Sequence, residues 1–300
     1  MKLSKTQANL ALIIVAFLWG TSFTFIKQAI AAGMPPGLIN SLRGLIFTLL
    51  IYLFFFRIIN KMTRTEFRVG VFAGLINCIV LQLQSSGLKF TTPSHSAFLT
   101  AMYVVILPFV TWLIFRKKPA KKSYISIVLC LVGMAYLTGV IDDGFHVQLG
   151  DWLSVLAALA LSFQIVYYGH FATGARPQIV AFMLGMTQLI VSGVYSLIFE
   201  SEGYEFIDWS HAVIPLIILG VSASFVAQTL QIYSQKYTDV ITTGLILMTE
   251  SLFASVVSIA FGIEHLTNRL IVGGIFIITG LLIIQFNIQW LKIKVNKNTS

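Results

Sequence analysis

Charge is scarce in this 300-residue chain: Asp, Glu, Lys and Arg together make up 10% of it. A soluble domain carries about 25% charged residues, so there is too little polar material here to cover a water-facing globule. Cysteine is scarcer still. Only Cys78 and Cys130 occur, both inside apolar runs, which excludes a disulfide framework. The chain has no Gly-x-x-x-x-Gly-Lys-Ser/Thr element, so it does not use ATP itself. It also has no His-Glu-x-x-His or comparable nucleophile-and-base set. What fills the sequence instead is apolar: 57% of residues, with a mean hydropathy of +0.88. These numbers exclude a soluble enzyme, a disordered chain and a secreted scaffold, and they point to an integral membrane protein.

A helix crosses a bilayer with about 20 apolar residues. Ten such stretches follow one another, near 7–30, 36–58, 68–87, 93–115, 122–141, 151–170, 178–199, 212–235, 239–263 and 268–291. The runs are continuous rather than alternating, so they read as helices and not as barrel strands. The first run extends from Ala8 to Ile26, longer than the core of about 7–15 residues in a cleaved signal peptide. It is therefore expected to stay as span 1.

The net charge of +9 is read as an orientation signal. Sixteen basic residues fall on one side: Lys2, Lys5, the clusters at 57–68 and 116–122, Arg176, Lys236, Lys292, Lys294 and Lys297. Lys89 and Arg269 fall on the other, with most of the acids, among them Asp142, Asp143, Asp151, Glu200, Asp208 and Glu264. The basic side is expected to be cytoplasmic, with both termini inside a multi-pass protein of the cell membrane.

The chain also resembles itself. At an offset of 147, Leu83-Gln84 matches Leu230-Gln231, Lys89-Phe90-Thr91 matches Lys236-Tyr237-Thr238, and Gly133 matches Gly280. At an offset of 140, Ser22-Phe23 matches Ser162-Phe163. Each half holds five spans, an odd number, so the second half must cross in the opposite sense. The expected fold is all-α, with ten transmembrane helices in two inverted five-helix repeats at 7–141 and 150–291. Inverted repeats of this kind recur in secondary transporters, where the substrate sits near the midplane between the halves.

The motifs carry a further likeness. Trp19-Gly20-Thr21-Ser22-Phe23, Arg43 in span 2, Ala97-Phe98-Leu99-Thr100 with Pro108, and the run Glu250-Ser251, Glu264-His265-Leu266-Thr267, Gly273-Gly274 and Gly280 together resemble the EamA family of the drug/metabolite transporter superfamily. Ser251 stands where that family commonly has proline, and Ile263 where it commonly has glycine. The resemblance covers nearly the whole chain. It implies ten helices, alternating access and movement of a small metabolite, often export of an amino acid or a drug-like compound.

Polar residues inside apolar spans are the candidate substrate site. Glu250 lies near the middle of span 9, where a charge must face a partner or a wet cavity; it is either a substrate or proton site, or a buried structural partner. Arg43 lies roughly 10 Å into span 2, where its planar fork suits a carboxylate or braces neighbouring helices. Ser224, Gln228, Gln231 and Gln235 recur at helical spacing in span 8, and Asn77 and Gln84 occupy equivalent places in span 3. Lipid cannot satisfy such groups, so both stripes are expected to face inward, as cavity lining or as interhelical contacts. Thr24 belongs to a similar stripe in span 1. Tyr103 is the repeat counterpart of Glu250, Gln164 lies in span 6, and His95 lies near the outer end of span 4, either a ligand or a helix-end residue.

The leading expectation is thus a secondary transporter, with a channel or a non-transporting receptor as the alternative and a membrane-embedded enzyme further behind. Expected partners are a small-molecule substrate and the lipid bilayer, with no nucleic acid, no metal and no cofactor. The chain is expected to act as a monomer or homodimer.

Overall fold

A computed structural model describes residues 3–116, 121–137 and 148–285. All regular structure among them is helical. In chain order the helices are α1 (Lys5–Ala31), α2 (Pro36–Ile59), α3 (Arg64–Gly87), α4 (Pro93–Phe115), α5 (Lys121–Leu137), α6 (Leu149–His170), α7 (Pro177–Phe199), α8 (Trp209–Ser234), α9 (Val240–Ala260) and α10 (Asn268–Gln285). Among the described residues eight, all but α5 and α10, are long and apolar enough to cross a membrane. The expectation of ten full spans is met only in part. α5 and α10 are shorter apolar helices over the described residues, because the spans expected at 122–141 and 268–291 run on into residues outside them. Lys2, Lys117, Lys118, Asp142, Asp143, Lys292, Lys294 and Lys297, counted above as orientation charges, also lie outside the described residues.

Local chemistry sets the helix starts. Ser4 and Thr63 cap α1 and α3, and Gln7 and Glu66 reach back to complete capping boxes. Proline occupies the first turn of α2, α4 and α7, where its missing N–H costs nothing. Asp208 and Asp239 cap α8 and α9 through their carboxylates. Hydrogen bonds from Ser210 and then His211 hold the Asp208 carboxyl at about 2, below the ordinary 3.8.

The loops define two faces. On one, Thr238 Oγ1 donates to Asn9 Oδ1 at 3.1 Å, and Arg176 Nε donates to Glu66 Oε1 at 2.6 Å; this is the Lys5 face. On the other, the Asp208 amide donates to the Ala32 carbonyl at 2.9 Å and the Gly37 amide to Glu200 Oε2 at 2.9 Å. Lys27 Nζ donates there to the carbonyls of Leu88 and Thr91 at 2.6 and 2.9 Å, so this is the Lys27 face. α1 starts at the Lys5 face. α6 starts at the Lys27 face, with Gly150 against the Gly87 carbonyl, and ends near Gln235 at the Lys5 face. The two therefore run in opposite senses.

The halves meet through glycines whose contacts repeat across the pseudo-twofold relation. An ideal Cβ on Gly44 of α2 would stand 2.7 Å from the Leu189 amide of α7, and one on Gly185 would stand 3.0 Å from the Thr48 amide of α2. Gly185 follows Gly44 by 141 residues, and Leu189 follows Thr48 by the same 141. α5 and α10 do likewise: Gly133 lies against Ile277, Gly280 lies against Cys130, and Cys130 Sγ approaches the Ile277 carbonyl at 3.8 Å. Small residues let helices approach closely where lipid supplies no hydrophobic drive. Large apolar side chains such as Leu53, Phe54, Leu113, Ile198, Phe199 and Val256 point outward, as a bilayer-facing surface requires.

Candidate functional site in the centre of the helical bundle

Three irregularities shape the middle of the molecule. α4 breaks after Pro93–Ala101, turns at Met102, and resumes as Tyr103–Phe115. α9 breaks after Val240–Leu247, turns at Met248 and Thr249, and resumes as Glu250–Ala260. In both, the turn tightens to three-residue hydrogen bonds: Met102 N to Leu99 O at 3.2 Å in α4, and Thr249 N to Ile246 O at 3.2 Å in α9. The second piece of each helix opens on one member of the pair Tyr103 and Glu250, so the repeat extends to the breaks themselves. The third irregularity is a ten-residue π-helical stretch in α8, Leu219–Gln228, below the internal Pro215. Such stretches occur frequently at functional sites.

These features surround a cavity lined by Trp19, Ser22, Phe23, Arg43, Asn77, Val80, Leu81, Gln84, Leu161, Gln164, Gln228 and Glu250, contributed by α1, α2, α3, α6, α8 and α9. Its volume is about 30 Å³, counted as room for the centre of a water molecule. That is room for a few waters at most, so a metabolite-sized guest needs the helices to part.

Arg43 and Glu250 are each 1% exposed, yet among the described residues neither has an ion-pair partner within 4.0 Å. Arg43 Nε donates to Ser224 Oγ at 2.8 Å, from α2 to the π-helical stretch. Its Nη1 is buried without a partner, and so are Glu250 Oε1, Asn77 Nδ2, Gln164 Oε1 and Gln228 Oε1. Gln164 Nε2 and Asn77 Oδ1 meet at 3.5 Å. Buried polar atoms in folded proteins are almost always hydrogen-bonded. Five unpaired atoms around one small cavity, one from a guanidinium and one from a carboxyl group, make a set of donors and acceptors suited to a polar guest.

Trp19 and Gly20 build the wall beside Glu250. Trp19 Nε1 donates to the Ala223 carbonyl at 3.1 Å. Gly20 has no Cβ, and an ideal one would stand 2.6 Å from the Glu250 carbonyl and 2.6 Å from Phe253 Cβ. Glycine therefore lets α1 press against the break in α9.

Of the ten candidates read from the sequence, six line the cavity: Glu250, Arg43, Asn77, Gln84, Gln164 and Gln228. Four lie off its lining. Tyr103 is fully buried and donates to the Gly244 carbonyl at 3.1 Å, joining α4 to α9. Thr24 is buried on α1 with its hydroxyl unpartnered, and Gln231 is buried on α8 with both amide atoms unpartnered. His95 sits in the first turn of α4 at the Lys27 face, its backbone N–H on Thr92 Oγ1 at 3.3 Å. The four polar residues of the span-8 stripe are all buried, but Ser224 and Gln228 lie within the π-helical stretch while Gln231 and Gln235 follow it. Gln231 and Gln235 continue the stripe beyond the cavity lining at ordinary helical spacing from Gln228. Sequence reasoning did not select Trp19, Ser22 and Phe23 as lining residues, although the Trp-Gly motif marks the place.

The EamA-like transporter family model matches residues 6–139 and again residues 148–286. An uncharacterized transporter from Archaeoglobus fulgidus is 28% identical over 284 residues, covering 95% of this chain and 87% of that protein. The uncharacterized transporter YvbV from Bacillus subtilis is 25% identical over 213 residues, covering 70% and 68%. One solved crystal structure superposes with a TM-score of 0.68 over 93% of this chain and 96% of its own, at 16% identity, and so shares the fold. With the family model matched twice over nearly its whole length, this multi-pass membrane protein belongs to the EamA-like transporter family.

Proposed function

We propose that the protein is a secondary transporter that moves a small metabolite bearing both a carboxylate and a hydrogen-bonding or cationic group, such as an amino acid, across the cell membrane by alternating access. Export is the favoured direction, both termini lie in the cytoplasm, and α5 and α10 complete ten spans. The observation that carries this reading is the pair of buried ionisable side chains, Arg43 and Glu250, which line one central cavity with no ion-pair partner among the described residues. An unpaired buried charge is costly, and a zwitterion would meet both at once: its carboxylate on the Arg43 fork, its ammonium on Glu250. Asn77, Gln164 and Gln228 supply neutral hydrogen bonds around them. The breaks in α4 and α9 support movement, because discontinuous helices flank the substrate sites of many transporters. The narrowness of the cavity supports a cycle in which the halves rearrange before a solute enters or leaves. The membrane itself and a small solute are the partners of this reading, with a monomer or homodimer as the working unit.

The test is a metabolite uptake and efflux screen in cells with and without the protein, followed by counterflow in proteoliposomes. A carrier exchanges labelled for unlabelled solute. A pore dissipates the gradient without exchange, which would favour the channel alternative and overturn this reading.

A further inference from the structure

A second set of unpartnered polar atoms lies apart from the central cavity, nearer the Lys5 face. On α8 and just beyond it, both amide atoms of Gln231, the hydroxyl of Ser234 and Oε1 of Gln235 have no hydrogen-bond partner among the described residues; on α6 the same holds for the Tyr168 hydroxyl. All four residues are buried. They belong to one region. Gln235 Nε2 donates to the Ile165 carbonyl of α6 at 3.3 Å, and Tyr168 packs in one apolar cluster with Ala73 of α3 and Ile232 of α8.

The set continues the cavity rather than standing alone. From Gln228, which lines the cavity, Gln231 and Gln235 follow along the helix and carry the polar edge about 10 Å toward the Lys5 face. From Gln164, also a lining residue, Tyr168 follows one turn on along α6. Interhelical glue would join such groups to one another, yet among the described residues these atoms meet no partner at hydrogen-bond geometry. Unpaired polar groups in an apolar interior are costly and call for a partner, which a guest or another state can supply.

The repeat gives the sense of that other state. Gln84 is the counterpart of Gln231; it is half-buried and lines the cavity, whereas Gln231 is fully buried. If the inverted halves exchange conformations, Gln231 opens as Gln84 closes. None of the four residues carries a charge, so the region deals in hydrogen bonds alone.

We propose that Gln231, Gln235 and Tyr168 form a second polar binding station between the central cavity and the Lys5 face, shut in this conformation, which takes the hydrogen-bonding groups of an uncharged or zwitterionic solute. The station rests on the transporter reading above. It is tested by side-specific labelling. Gln231→Cys, Gln84→Cys and Gln188→Cys are each made in a background where Cys78 and Cys130 are serine. Oriented proteoliposomes are then exposed on one face at a time to a membrane-impermeant cationic methanethiosulfonate, with labelling read by mass spectrometry. Gln231→Cys is expected to label about tenfold faster from the Lys5 face than from the Lys27 face, as a minor open state allows, and Gln84→Cys is expected to show the reverse preference. Gln188→Cys, whose native amide donates to the Asn40 carbonyl between α2 and α7 at 2.9 Å, stays unlabelled. A Gln231→Cys protein inert from both faces, or labelled faster from the Lys27 face, overturns the station. Should that variant fail to reach the membrane, Gln235→Cys and Tyr168→Cys carry the same expectation, and their inertness overturns it equally. Labelling needs no substrate. A wild-type protein that exchanges solute while Gln231→Cys stays inert therefore sinks the station alone, and one that exchanges nothing sinks the transporter reading.

Discussion

Gly20→Ala isolates the contact that seats α1 on the break in α9. The new Cβ would lie 2.6 Å from the Glu250 carbonyl and from Phe253 Cβ, and 3.0 Å from the Ala254 amide, where ordinary contacts run 3.4–4 Å. Two of these neighbours are backbone, so no rotamer change relieves the overlap. α1 and α9 must part by about 0.8 Å in an interior packed to crystal density. Overpacking on this scale costs about 1–3 kcal/mol, which at roughly 2–4 °C per kcal/mol lowers Tm by about 2–12 °C. The same shift displaces Trp19 from Glu250, so the initial rate of counterflow falls as well. Thermal unfolding in detergent, followed by intrinsic fluorescence of the five tryptophans, gives the first readout, and proteoliposome counterflow gives the second. Gly174→Ala is the control, since nothing lies within 4 Å of a Cβ there, and it is expected to stay within about 0.5 kcal/mol of wild type. A Gly20→Ala protein with the Tm and transport rate of Gly174→Ala refutes the close α1–α9 contact.

Three further outcomes follow from the site and its caps. Arg43→Met exchanges a buried guanidinium with one side-chain hydrogen bond for an apolar chain; stability is expected to hold or to rise by up to about 1–4 kcal/mol while counterflow is lost, and a large fall in Tm would mean that the guanidinium is a structural brace. Glu250→Gln keeps the shape of the side chain and is expected to fold normally, transport slowly and show a flatter pH profile; unchanged rate and pH dependence would remove Glu250 from the mechanism. The Asp208 carboxyl is held at about 2 by Ser210 and His211, so its cap on α8 is fully present above the ordinary 3.8 and is lost as pH falls through about 2. Amide exchange at the first turn of α8 should accelerate over that window relative to the middle of the helix, and a pH-independent ratio contradicts the cap.

Much of this site was legible because the bilayer punishes polar groups so heavily. Arg43, Asn77, Gln84, Gln164, Gln228 and Glu250 each interrupt an apolar run, and each lines the cavity. The pairing of Tyr103 with Glu250 reappears as paired helix breaks, although Tyr103 spends its hydroxyl on Gly244 rather than on the cavity. The breaks themselves left little trace. Met102, Met248 and Thr249 are neither glycine nor proline, and their turns arise from tertiary packing rather than from local preference. The π-helical stretch over Leu219–Gln228 was equally hidden. Trp19 needed the third dimension too, since an aromatic residue in an apolar run signals nothing until its indole is seen on the Ala223 carbonyl.

The proposed transport rests on one cavity binding the carried solute through Arg43 and Glu250. Calorimetric titration of the solute found by the screen into purified wild type, Arg43→Met and Glu250→Gln tests it most directly. Wild type should bind, and each variant, folded by its Tm, should weaken Kd at least about tenfold, equivalent to about 1.4 kcal/mol. Variants that bind the solute as tightly as wild type would place the site elsewhere.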